Sequence, residues 1–169
     1  MLQLARMPRL KSIQLFDMTY SESTGEYTRS QTINPVKTDR ALVEVQSSVC
    51  GYNNGGGMIW SYVAGVEIQN ATTLLATLSV YSSGTTAGVN LRVRVCELWE
   101  RPRSLQRLAG NGTTSQTIGA VDPARALLVG AYQNAQLSGQ TYVPSLGATA
   151  VTWNVAVPAA LRYQVVQFD

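Results

Sequence analysis

The chain has no histidine anywhere, and only two cysteines and two phenylalanines among its 169 residues. Without histidine there is no Ser-His arrangement, no imidazole base poised near neutral pH and none of the commonest metal ligand. Two cysteines fall short of the roughly four ligands that a structural zinc needs. Charge is scarce too: charged residues make up 14% of the chain, and the ten carboxylates show no spacing that implies cooperation. Glu67 and Glu97 remain as a distant carboxylate pair of the kind that glycosidases bring together in space. Lys and Arg form no block that would track a phosphate backbone. The nearest approach is Arg101, Arg103 and Arg107, and the net charge is only +3, which argues against a nucleic-acid partner. No apolar run reaches the roughly 18 residues of a membrane span. The opening "MLQLARMPRLK" lacks the uninterrupted apolar stretch of about 7–15 residues found in a secretion signal. The expectation is a soluble chain made in the cytosol, with no membrane partner, no cofactor and no enzymatic role.

Thr, Ser, Gly, Val and Ala dominate what is present, a composition of β-rich chains with many turns. Short runs of β-branched and aliphatic residues alternate with Gly, Ser, Asn and Pro clusters, predicting an all-β sandwich or barrel. Strands are predicted over 11–19, 29–33, 41–49, 59–68, 73–81 and 89–99, then 104–108, 114–118, 125–132, 141–144, 150–157 and 161–168. The stretches "KTDRALVEV" and "DPARALLVG" allow one helical turn at most.

The most informative feature is an internal repeat, the first thing to seek in a short chain. "SQTINPVKTDRALVEV" from Ser30 returns as "SQTIGAVDPARALLVG" from Ser115. "RLKSIQ" from Arg9 matches "RPRSLQ" from Arg101, "NATTLLATL" from Asn70 matches "GATAVTWNV" from Gly147, and "LRVRVCELW" from Leu91 matches "LRYQVVQF" from Leu161. The blocks keep their order while the offset falls from 92 to 85 to 70 residues. The first copy must therefore carry insertions, expected as loops around "TYSESTGEY", "NNGGGM" and "SSGTTAG". This divides the chain into an N-terminal arm (1–9), a first module (10–100) and a second (101–169), two related lobes forming a pseudo-dimer. The basic "ERPRS" around Pro102 is the connection.

Period-two alternation in the closing strands puts Leu91, Val93 and Val95 opposite Arg92 and Arg94, and Leu161, Tyr163 and Val165 opposite Arg162 and Gln164. The apolar residues then change phase, to Cys96 and Leu98 and to Val166 and Phe168. A bulge, or a strand end buried on both faces, produces such a shift. Cys50 and Cys96 align with Ala135 and Val166, which suits buried thiols acting as small hydrophobes; a disulfide is the alternative. Tyr52, Trp60 and Tyr62 beside Asn53 and Asn54 offer aromatics to stack on a sugar or to anchor an interface.

The module ends carry a family likeness. "KSIQ" at Lys11, "RSLQ" at Arg103, "VDPARALL" at Val121 and "YQVVQF" at Tyr163 resemble a β-domain common in virion proteins of tailed bacteriophages. Gln167 departs from the Glu usual in that closing motif, and the first copy reads "VKTDRA" in place of the Asp-Pro turn. The resemblance implies a virion structural protein, either a capsid decoration or cement protein or a tail or fibre adaptor. Its partners would be major capsid or tail and fibre proteins, and it would be an oligomer within the particle. A carbohydrate-binding module for host glycans, using Tyr52, Trp60 and Tyr62, is the alternative. The candidate contact residues are Met1, Leu2, Leu4 and Arg6 in the arm, Tyr52, Asn53, Asn54, Trp60 and Tyr62 beside the first-copy insertions, and Arg101 and Arg103 at the join.

Overall fold

Alternating Leu91, Val93 and Val95 with Arg92 and Arg94 requires a strand with one face buried and the other open. In the computed structural model the three apolar residues are buried, Arg92 is exposed and Arg94 half-buried. The structure describes residues 9–52, 58–83, 87–130, 132–136 and 142–169, with backbone alone at 47–52, 58–62, 81–83, 87 and 132–136. The fold is all-β and sandwich-like.

Six strands form the first half: β1 (Leu10–Glu22), β2 (Gly25–Thr32), β3 (Ala41–Tyr52), β4 (Met58–Asn70), β5 (Thr73–Ser83) and β6 (Ala87–Leu98). A 3₁₀ turn, Thr38–Arg40, precedes β3. Seven shorter strands follow: β7 (Ser104–Ala109), β8 (Ser115–Thr117), β9 (Ala126–Gly130), β10 (Tyr132–Gln136), β11 (Pro144–Leu146), β12 (Ala150–Trp153) and β13 (Arg162–Gln167). In the first half a front sheet ordered β1-β6-β3 faces a back sheet ordered β4-β5-β2. Met18, Val43, Leu91, Val93 and Val95 meet Val66, Leu74, Ala76 and Leu78 between them. The second half repeats the scheme, β7-β13-β9 over β11-β12-β8, around Val151, Trp153, Leu161, Tyr163 and Val165.

The ladders agree at several aligned positions. Ile13 pairs with Cys96 and Cys96 with Leu42; at the aligned positions Leu105 pairs with Val166 and Val166 with Leu127. In the back sheets, Thr32 pairs with Thr73 and Thr117 with Ala150. The repeated "SIQ" and "SLQ" motifs then acquire a structural reason. Gln14 Nε2 donates to the Asn34 carbonyl (3.0 Å) and Gln14 Oε1 accepts the Asn34 N–H (2.9 Å). Gln106 does the same with Gly119, at 3.0 and 2.7 Å. A carboxamide carries both a donor and an acceptor, so it pairs with a backbone unit as another strand would. Each glutamine thereby ties its front sheet to the segment following the first back strand.

The closing motif has a matching explanation. Glu97 Oε1 accepts the Lys37 N–H, and Gln167 Oε1 accepts the Asp122 N–H, both at 3.3 Å. An acceptor oxygen is needed at both places, and Gln167 supplies it without charge. In the first half the carboxylate has the further task of holding Lys11, at 3.0 Å. Burial raises the Glu97 pKa, but the hydrogen bond from Lys11, that from the Lys37 N–H and the nearby Lys11 and Arg40 charges outweigh it, so the net shift is downward.

Two expectations need correction. Residues 84–86 lie outside the described residues. Over their described residues the insertions at "TYSESTGEY" and "SSGTTAG" are largely strand rather than loop, since β1 runs to Glu22, β2 starts at Gly25 and β5 runs to Ser83. They heighten the first sandwich: Tyr20 and Tyr27 pack against its core, and the buried Glu22 pairs with Arg29. The single strand predicted over 125–132 is two, β9 and β10, in different sheets. The residues aligned with β10 in the first copy stay in β3 and pair with β6, beyond a register shift between Val45 and Ser47. In the second copy they leave their sheet and add to the outer edge of β4, Tyr132 pairing with Gly65 and Gln136 with Ser61. The phase change near Cys96 takes both expected forms, one in each copy. Beside β6 the irregularity lies on β1, between Leu10 and Ser12, whereas β13 is buried on both faces from Tyr163 to Gln167.

That double burial marks where the halves meet. Arg162 ion-pairs with Glu67 (3.1 Å) and donates to Thr77 Oγ1 (3.1 Å) on the first back sheet. Gln164 Nε2 donates to the Val43 carbonyl (2.7 Å), and Arg107 to the Ala41 carbonyl (2.7 Å), on the edge strand β3. Val63 of β4 joins the second core. Gly65 permits the closest approach, because a Cβ there would sit 2.1 Å from the Ala160 carbonyl oxygen and 2.8 Å from the Arg162 nitrogen.

Two outcomes follow. Gln106→Ala or Gln14→Ala removes two hydrogen bonds and is expected to cost about 1–2 kcal/mol of unfolding free energy in urea titration; no loss would deny the clasp its role. Gly65→Ala forces backbone apart at the junction and is expected to cost about 1–3 kcal/mol or more, with a melting temperature equal to wild type as the contrary result.

Candidate functional site

Strand parity decides which side chains the front sheet of the first half turns outward. On β1 these are Ile13, Leu15 and Asp17, on β6 Arg92, Arg94 and Cys96, and on β3 Leu42 and Glu44. Ile13 is 52% and Leu15 61% exposed, two of the most open large apolar side chains described. Cross-strand rows organise the face. Ile13, Cys96 and Leu42 make an apolar row; Leu15, Arg94 and Glu44 make the next; Asp17 and Arg92 lie beyond.

The charges on this face are already committed to one another. Arg92 Nε and Nη2 donate to the two Asp17 oxygens at 3.0 and 3.2 Å, a two-point fork that suits guanidinium and carboxylate geometry. Arg94 Nε donates to Glu44 Oε2 at 3.0 Å. The hydrogen bond from Arg92 lowers the Asp17 pKa, and the same bond raises that of Arg92. The hydrogen bond to Glu44 likewise raises Arg94. Asp17, Arg92 and Arg94 therefore hold fixed charges around neutral pH, which suits orientation of a partner rather than proton transfer.

Cys96 is a free thiol on this outer face, half-buried. The expectation of a core position for it fails because parity directs Val95 inward and leaves Cys96 beside Arg94. Burial pushes its pKa up, the Arg94 charge opposing and the Glu44 charge reinforcing the rise. A protonated thiol is neither a nucleophile nor a ready metal ligand. Cys50 has no described side chain.

A groove of about 350 Å³ runs along the same face. Its floor is Leu42, Glu44, Arg94 and Cys96 of the first front sheet, and its wall is residues 128–130 of β9. The two halves thus build it together, with apolar ground near Leu42 and a single ion pair set into the floor.

The residues proposed from sequence fall elsewhere. Met1, Leu2, Leu4, Arg6, Asn53 and Asn54 lie outside the described residues, as do the side chains of Tyr52, Trp60 and Tyr62. Arg101 and Arg103 are described and exposed; Arg101 Nε lies 3.9 Å from Asp39. Arg107 does not extend them into a basic stripe, since it turns into the junction beneath β3, where burial lowers its pKa. Glu67 and Glu97 are not brought together, each being bound to its own cation, Arg162 and Lys11. Among the described residues no three carboxylates or cysteines gather as a metal site, and no helix is long and apolar enough to cross a membrane. Comparison with family models, curated proteins and solved structures gives no match.

Sequence reasoning passed over Ile13 and Leu15, yet a signal existed. The aligned residue for Leu15 is Arg107, so one copy is polar where its twin is apolar.

Because burial disfavours the thiolate, Cys96 in a Cys50→Ser variant is expected to react with iodoacetamide at mildly alkaline pH more slowly than in the urea-unfolded chain. Equal rates in the two states would contradict the placement.

Proposed function

We propose that this chain is a structural protein of a tailed-phage virion, a capsid decoration or cement protein that works through protein–protein contacts. The observation that carries the reading is the front face of the first half. It is an open sheet surface with exposed Ile13 and Leu15, bordered by internally neutralised charge. Exposed apolar area rimmed by polar groups marks an interaction surface. Its neutralised charges steer a partner into register without leaving an ion unpaired when water is expelled.

The virion setting is supported by the resemblance of the module ends, whose motif residues now have concrete tasks. Gln14 and Gln106 clasp the segment after the first back strand. Asp122 accepts the Ala124 N–H (3.0 Å), which shapes the turn before β9. A particle protein needs sturdy sheets with deep cross-strand pairing, and two related modules in one chain offer two related surfaces to a repeating lattice.

Leu15→Glu and Ile13→Glu, each placed in the phage that encodes the protein, are the test. Both positions are exposed, so the variants are expected to fold with wild-type circular dichroism. The amount of protein in purified particles, measured by quantitative mass spectrometry, is expected to fall about tenfold or more, the loss that truncating a buried apolar anchor brings. Incorporation at the wild-type level would remove this face from the particle contact.

A further inference from the structure

The junction between the halves is polar, so every buried donor and acceptor in it needs a partner. Two side-chain atoms there find none among the described residues. Gln164 is 2% exposed. Its Nε2 donates to the Val43 carbonyl at 2.7 Å, while its Oε1 meets no donor. Arg107 Nη2 donates to the Thr38 and Ala41 carbonyls, while its buried Nε meets no acceptor. Exchanging the two ends of the Gln164 amide brings no relief, because it would set oxygen against the Val43 carbonyl oxygen. The protein thus leaves one acceptor and one donor over at this seam.

Both residues line the same small cavity. Val43, Val66 and Glu67 bound it from the first half, and Arg162 joins them from the second. The centre of a water-sized sphere has about 10 Å³ in which to move there, which is room for one water and little else. The chemistry of the walls narrows the occupant further. An anion could accept from Arg107 Nε, but it has no proton for Gln164 Oε1 and would face the Glu67 carboxylate. A metal cation would meet two guanidinium groups. Only a small neutral molecule that both accepts and donates answers both atoms.

We propose that a single water molecule is built into the junction, accepting a hydrogen bond from Arg107 Nε and donating one to Gln164 Oε1. Glu67 holds Arg162 through Oε2 at 3.1 Å, and its carboxylate offers the second water proton an acceptor in the same wall. Three hydrogen bonds are the usual complement of a buried water. The water then links β7 and β13 of the second half to β4 of the first. The first front sheet has no counterpart to this site. At the aligned positions Leu15 is exposed and Arg94 is bonded to Glu44. The site therefore belongs to the closure of one sandwich by the other, and it stands whatever the open front face contacts.

A crystal structure of the full chain tests this directly. A water peak is expected within about 2.7–3.2 Å of both Arg107 Nε and Gln164 Oε1. A dry cavity would overturn the proposal. So would an anomalous peak at the site in crystals grown with bromide, which would make the occupant an anion. In solution, oxygen-17 relaxation dispersion counts long-lived waters, and the count is expected to fall by one in Gln164→Met. That variant also loses the bond to Val43, so Val66→Ile is the second: it keeps every polar group and puts a methyl group into the cavity. It too is expected to lose one long-lived water. An unchanged count in either folded variant would contradict the site. So would a Val66→Ile chain more stable than wild type, the result of filling an empty apolar void.

Discussion

An unpaired sheet edge is the constraint from which the rest of this structure follows. In the first sandwich β3 and β4 both lie at the rim, and their outward N–H and C=O groups need partners or water. The second half supplies the partners. β10 pairs with the free side of β4, while Arg107 and Gln164 donate to the β3 carbonyls of Ala41 and Val43. Side-chain donors on one rim strand and a whole strand on the other close that side of the sandwich. Gly65 lacks a Cβ because this closure brings backbone onto backbone there.

The same constraint accounts for how the two sheet schemes differ. In the second copy the residues matching the far half of β3 stand apart as β10, paired with β4, and Gln164 and Val166 of the front sheet are buried. That face became polar and donor-rich, with Arg107, Arg162 and Gln164, because it must satisfy carbonyls and the Glu67 carboxylate. The first copy kept a long β3 within its own sheet and an outward face in which Leu15 stands for Arg107. Its strands also grew: β1 spans 13 residues against 6 in β7. Taller strands bury more apolar surface, and Tyr20 and Tyr27 use that height. The first sandwich thus serves as the base, and the second as the closure of one of its edges.

Much of this was legible in the chain and some was not, for physical reasons. Strand positions were legible because side chains alternate with period two, so Leu91 to Val95 reads directly as one buried face. The repeat was legible because Gln14 and Gln106 must both offer an amide to the backbone, a demand no apolar residue meets. The division between β9 and β10 was not, since a continuous run over 125–132 looks the same whether it stays in one sheet or crosses to another. The insertions were misjudged as loops because Ser, Thr and Gly are as common in solvent-facing strand positions as in turns. The open face was hidden because Ile13 and Leu15 alternate with inward Ser12, Gln14 and Phe16, so both faces of β1 mix apolar and polar residues. Only the contrast with Arg107 separates them.

The account stands on two ladders in the same register and on one junction joining them, and cross-strand nuclear Overhauser contacts measure both. It predicts contacts linking Ile13, Cys96 and Leu42 and, in the same pattern, Leu105, Val166 and Leu127, with Gly65 close to Ala160 and Arg162. A ladder displaced by one residue in either half, or a Gly65 that meets nothing beyond residue 100, would contradict it.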